Sequence, residues 1–144
     1  MSNEHVVTDG IVINARPEQV WHALTTPEIT KQYFFKSEIH SDWKVGGPLN
    51  FTRKILFFNF SLKGELEAIE PNKQLTYKLY NGALFGKPNP NKFSMVTITL
   101  SPQNQTTLVS ISDDVGTYPG FEKRYTRSVK GWRTILTGLK GIVE

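Results

Sequence analysis

The chain has 144 residues, enough for one domain with a substantial core, and its lack of cysteine excludes disulfides, thiolate metal sites and cysteine nucleophiles. Its net charge is +4, from 17 basic and 13 acidic side chains, and no apolar run approaches the length of a membrane span. The opening residues carry Glu4 and no apolar stretch, so no secretory signal is read there and a cytoplasmic protein is expected.

Val6, Val7, Thr8, Ile11, Val12 and Ile13 are β-branched and predict a strand over residues 6–14. Pro17 at a first helical position and Glu18 in the first turn open a helix whose inner face is Val20, Ala23 and Leu24. Thr26-Pro27-Glu28 repeats the signal, with Thr26 as the cap of a second, short helix that runs into Tyr33-Phe34-Phe35. The period then changes to two. Residues 37–40 read as a short strand and residues 42–48, with Gly46, Gly47 and Pro48, as a turn. Leu49, Phe51 and Arg53 alternate with polar neighbours. Phe58, Phe60, Leu62, Gly64, Leu66 and Ala68 form one face of the next strand, with Glu65 and Glu67 towards water. Pro71-Asn72 turns the chain, and Leu75, Tyr77 and Leu79 alternate again. Residues 93–100 and 106–113 are two further strands, so the whole reads as an antiparallel meander. Between them and the preceding strand, residues 81–91 form a Gly/Pro/Asn-rich loop holding Leu84 and Phe85. It is either a lid over a pocket or a loop pinned to the core.

Phe121, Tyr125, Val129, Trp132, Leu136, Leu139 and Val143 follow at steps of three and four, which predicts one long amphipathic helix beginning after Pro119-Gly120. Gly131 and Gly138 lie on one side of it, and a glycine in a helix interior points to a close approach, by a ligand or, as expected here, by a bulky side chain from the sheet. The positive excess sits in this helix: residues 121–144 hold six basic side chains and two acidic ones, the rest of the chain 11 of each. No recognition motif accompanies it. It reads as a solvated helix face, with no specific nucleic-acid partner.

The order of strand, two helices, six strands and a long helix resembles the START-like (SRPBCC) helix-grip superfamily. Within it the chain is similar to the family related to the C-terminal domain of the activator of heat-shock-protein-90 ATPase. Residues 13–28, Gly46-Gly47, residues 64–71 and Gly131-Trp132 with Leu136 and Leu139 carry the likeness. The resemblance implies an α+β fold in which a curved antiparallel sheet wraps around the C-terminal helix, with two short helices after the first strand, as a single START-like domain over residues 1–144. It implies a cavity, but no single function, because such folds include lipid carriers, hormone receptors, polyketide cyclases and a co-chaperone domain.

The residues narrow the choice. Nine Phe, five Tyr and three Trp supply large apolar area, much of it on the inner face. A small hydrophobic or aromatic molecule is the expected partner, bound between sheet and helix by Tyr33, Phe34, Phe51, Arg53, Phe60, Tyr77, Phe93, Trp132 and Leu136. Arg53 is the polar member, able to pair with Glu38 or Asp113 or to hold a ligand carboxylate. His5, His22 and His40 match no metal spacing, and there is no nucleophile motif or phosphate loop, so neither metal, cofactor nor catalytic residue is expected. The alternatives are a cyclase or aromatase, for which Arg53, Tyr77 and Asp113 are the available proton handlers, and a chaperone-linked interaction module with an unidentified protein partner. No membrane insertion is expected.

Overall fold

The computed structural model describes residues 5–80, 92–117 and 119–144. The elements run β1 (Val6–Ile13), α1 (Pro17–Thr25), α2 (Pro27–Tyr33), β2 (Glu38–Ser41), β3 (Pro48–Ile55), β4 (Phe58–Glu70), β5 (Gln74–Tyr80), β6 (Phe93–Gln103), β7 (Thr106–Asp114) and α3 (Phe121–Val143). The strands form one antiparallel sheet in the order β1-β7-β6-β5-β4-β3-β2. The fold is therefore the α+β helix grip that the sequence order predicts. The loop over residues 81–91, with Leu84 and Phe85, lies outside the described residues.

Alternation decides which side of the sheet is covered. In β6 Ser94, Val96, Ile98 and Leu100 are buried, and in β7 Thr107, Val109, Ile111 and Asp113. The opposite face carries Thr76 and Thr97, whose hydroxyls bond each other, together with Glu65, Glu67 and Lys78. Only one face is apolar, and all three helices serve it. In β4 the pattern breaks: the register shifts between Leu66 and Ala68, so Ala68 is exposed and Ile69 packs on the core instead. A strict period of two places Ala68 inside, because it carries no signal for the bulge.

The helices are fixed at both ends. Arg16 precedes α1, and its N–H donates to Gln19 Oε1 at 3.0 Å. Thr26 does not cap α2 through its side chain. Its hydroxyl meets His22 Nδ1 at 3.2 Å, while its carbonyl accepts from Ile29 and Thr30. Thr30 is fully buried and ties α2 to β2, accepting from the Ile39 N–H at 3.1 Å. Gly120 adopts φ +94° before the first turn of α3, a conformation that glycine reaches without steric penalty. At Gly138 a Cβ would stand 2.9 Å from Tyr33 Cβ, and at Gly131 3.5 Å from the Phe35 ring. Gly138 thus lets α2 lie against α3, whereas a Cβ at Gly131 would only touch the Phe35 ring in ordinary contact; the approaching side chain comes from α2 and not from the sheet.

The face of α3 differs from its apolar spacing. Trp132, Ile135, Leu136 and Leu139 are buried, but Val129 is 43% exposed, and Ser128 takes the inward position beside it. Nor is the basic excess all solvated. Arg133 pairs with Asp9 at 3.3 Å and donates to the Gly10 carbonyl, and Lys140 donates to the Val12 carbonyl at 3.0 Å. Glu144 accepts from the Asn14 N–H at 2.9 Å and pairs with Lys140. The cations near the C-terminal end of α3 thus fasten it to the edge strand β1.

Candidate functional site

The inner face is not filled along its whole length. Near β1, β6 and β7, the second half of α3 closes on the sheet with Leu136, Leu139, Val109 and Ile13, all essentially inaccessible. Towards β3–β5, the first half of α3 leaves a cavity of about 530 Å³, within the size range of small-ligand pockets. Three elements build it. The sheet provides Phe51, Tyr77, Val96 and Asp113. The helix provides Arg124, Ser128, Trp132 and Ile135. The segment just after α2 provides Phe34 and Phe35.

Its wall is a chain of aromatic rings. Phe34 stands edge-on to Trp132 with centroids 5.8 Å apart, Phe34 and Phe51 are 5.9 Å apart, and Phe51 and Tyr77 5.7 Å. These separations fall in the favourable range for tilted and edge-to-face pairs. Trp132 is held from behind as well. Its Nε1–H donates to Asp113 Oδ2 at 2.9 Å, and Ser128 Oγ donates to the same oxygen at 2.6 Å. Asp113 is 7% exposed, and its Oδ1 is buried with no hydrogen-bond partner among the described residues. One carboxylate thereby sets the orientation of the indole and the register of α3 on β7.

The polar groups are few and placed at distinct points. Tyr77 has no hydrogen bond from its hydroxyl among the described residues. Burial first, then the Asp113 carboxylate and Tyr33, hold that phenol well above the ordinary tyrosine range, so it stays neutral. Arg53 shares the inner face of β3 with Leu49 and Phe51 and reaches the cavity edge. It pairs with neither of its expected partners: Glu38 engages Lys31 and His40, and Asp113 engages Ser128 and Trp132. Among the described residues Arg53 has no hydrogen bond or ion pair. Arg124, which donates to Ser94 Oγ, and Arg127 complete a cationic side of the mouth.

Of the nine residues expected from the sequence, Phe34, Phe51, Arg53, Phe60, Tyr77 and Trp132 line the cavity. Three do not. Tyr33 is turned away, and its hydroxyl donates to the Ala23 carbonyl at 2.7 Å, joining α2 to α1. Leu136 is sealed in the core. Phe93 lies on the outer face of the sheet, edge-on to Tyr80 and beneath the Lys78 ammonium, 4.9 Å from the ring centroid. The inward residue of that pair is Ser94, a small polar side chain that a search for apolar positions passes over. Asp113 was findable, because it continues the inward series Thr107, Val109, Ile111 on β7. Ser128 and Arg124 were hidden by the competing apolar series through Tyr125 and Val129. No group of histidine or acidic side chains among the described residues is placed to hold a metal.

Comparison with known proteins shows the family and the fold. The family described as activator of Hsp90 ATPase homolog 1-like protein matches residues 14–144. A protein of Cytophaga hutchinsonii solved in solution is 31% identical, with a TM-score of 0.75 over 99% of this chain and 95% of that one. A crystal structure from Mesorhizobium loti is 26% identical, with a TM-score of 0.77 over 95% of each chain. The Aha1 dimer from Colwellia psychrerythraea, 18% identical with a TM-score of 0.75 over 96% of each chain, shares the fold. No curated protein matches the chain.

Proposed function

The chain belongs to the activator of Hsp90 ATPase homolog 1-like family, and on that premise we propose that it binds a small apolar molecule, aromatic or lipid-like, that carries an acid or carbonyl group. The observation behind this reading is the pairing of an open aromatic wall with a guanidinium that no described residue engages. Phe34, Phe51, Tyr77 and Trp132 offer ring faces and edges to an apolar body. Arg53 stands at the edge, its guanidinium without a hydrogen bond or ion pair among the described residues, and a planar fork of N–H groups matches a carboxylate. Arg124 and Arg127 add positive potential at the same mouth. Burial of the apolar body provides most of the affinity, and the guanidinium orients it.

Every described element is built on or against one sheet, and the chain acts in this reading as a single domain. Binding needs no chemistry. The carboxylate among the cavity's described lining residues, Asp113, is committed to Ser128 and Trp132, which makes it a positioning group for the wall.

A thermal-shift comparison of matched compounds tests the proposal. Naphthoate and naphthalene differ in the carboxylate alone. Naphthoate is expected to raise the melting temperature more, in a concentration-dependent way, and Arg53→Ala is expected to remove the difference. Equal responses to both compounds in the unsubstituted protein would remove Arg53 from the site. No response to either, across a wider set of apolar acids, would remove the ligand.

A further inference from the structure

The tip of the β3–β4 hairpin is apolar and bare. Ile55, Leu56, Phe57 and Phe58 are consecutive, and they are 42, 81, 92 and 60% exposed. A hairpin turn ordinarily carries glycine or asparagine where φ is positive. Here Leu56 holds φ +55°, a conformation that disfavours a γ-branched side chain with a Cβ. A residue suited only to turning the chain would be smaller and polar. The backbone therefore gains nothing from leucine at this position, and its side chain is the part that serves.

The flanks of the hairpin are cationic. Beside the hairpin a groove is lined by Lys31, Lys36, Arg53 and Lys54, with Glu38 the carboxylate among its described lining residues. The adjoining cavity mouth, which shares Arg53 and Phe60 with that groove, carries Arg124 and Arg127 beside Leu62. An apolar tip inside a positive collar is the charge pattern that an anionic bilayer matches. Hydrocarbon takes the tip, and acidic headgroups take the collar. A second copy of the chain would bring collar against collar, which like charge disfavours.

We propose that the β3–β4 hairpin docks this protein on the surface of an anionic lipid bilayer, with Leu56 and Phe57 entering the interface. The contact is peripheral, since no described helix is long and apolar enough to cross a membrane. Phe60 and Leu62 belong to the same hairpin and border the cavity, so docking turns the mouth towards the lipid. The proposal rests on the tip and its collar, and holds whether or not the cavity takes a ligand.

Co-sedimentation with phosphatidylcholine vesicles, with and without phosphatidylserine, tests it. The protein is expected to pellet with the phosphatidylserine vesicles and to be released as salt is raised. Phe57→Ser should lower the partition constant about tenfold or more, the loss expected for one large apolar side chain. Leu56→Asn should weaken docking too, while keeping or raising the melting temperature, because asparagine tolerates the positive φ. That combination separates docking from folding. Equal pelleting without phosphatidylserine, or pelleting untouched by Phe57→Ser, would overturn the proposal. So would no pelleting together with a dimer that Phe57→Ser converts to monomer. Naphthoate responses that persist in a protein that does not pellet would overturn docking and leave the ligand reading standing.

Discussion

Asp113 shows how one side chain links the sheet, the helix and the cavity wall. It accepts from Ser128 and from Trp132, and Trp132 is itself 6% exposed. Trp132→Ala should therefore cost about 3–5 kcal/mol, the usual loss for a core aromatic. Trp132→Phe keeps most of the ring but removes the donor, and should cost about 1–3 kcal/mol. Chemical denaturation of the two variants checks both values; a Trp132→Phe variant as stable as the unsubstituted protein would show that the indole N–H contributes nothing. Two tyrosines make a second test. Burial is the main cause that raises Tyr33 and Tyr77 above the ordinary value of 10.0. Their folded values exceed the unfolded one, so their contribution is complete below pH ~10 and is lost as pH rises above it. The melting temperature should fall on the alkaline side of that point, and Tyr77→Phe should flatten the fall. A slope unchanged by Tyr77→Phe would mean that this phenol ionises freely in the folded protein.

At the scale of elements, α3 separates what the sequence reveals from what it hides. Its existence, its length and its burial at Trp132, Leu136 and Leu139 follow from the spacing of apolar residues. Its rotation near the N-terminal end does not, because Val129 competes with Ser128 for the inward position. Only the partner on β7, Asp113, resolves that choice. The β6 register has the same character: Phe93 outweighs Ser94 in any apolar count, yet Ser94 faces in and Arg124 bonds it. Polar residues that line a cavity give no period to follow. The glycines signalled a close approach, since a helix interior tolerates them poorly without a reason, but the expected neighbour was the sheet and the actual one, at Gly138, is Tyr33 of α2. Gly138→Ala should destabilise, because its Cβ would meet Tyr33 at 2.9 Å. Gly141→Ala meets nothing within 4 Å and should gain about 0.5–1 kcal/mol from helix propensity. Thermal melts of the pair decide it, and stabilisation at both positions would contradict the close approach of α2 to α3.

At the scale of the molecule, the sheet is covered unevenly. The half of α3 beyond Trp132 seals the core over β1, β6 and β7, with Arg133 and Lys140 bonded to the edge strand. The half before it stands over β3–β5 and leaves the aromatic cavity open. The order of elements made the fold readable, since one long helix must bury its face on the meander's apolar side. Six of nine expected lining residues follow from strand alternation, from the aromatic residues at and after the end of α2, and, for Trp132, from the apolar spacing of α3. The cationic mouth needed the third dimension, because Arg53, Arg124 and Arg127 are far apart in sequence. The most direct test of the cavity as a binding site is mass spectrometry of small molecules released from protein purified under native conditions. The expected result is an apolar compound bearing an acid or carbonyl group, recovered from the unsubstituted protein and depleted in Arg53→Ala. A released fraction that holds no such compound, or one recovered equally from Arg53→Ala, would contradict it.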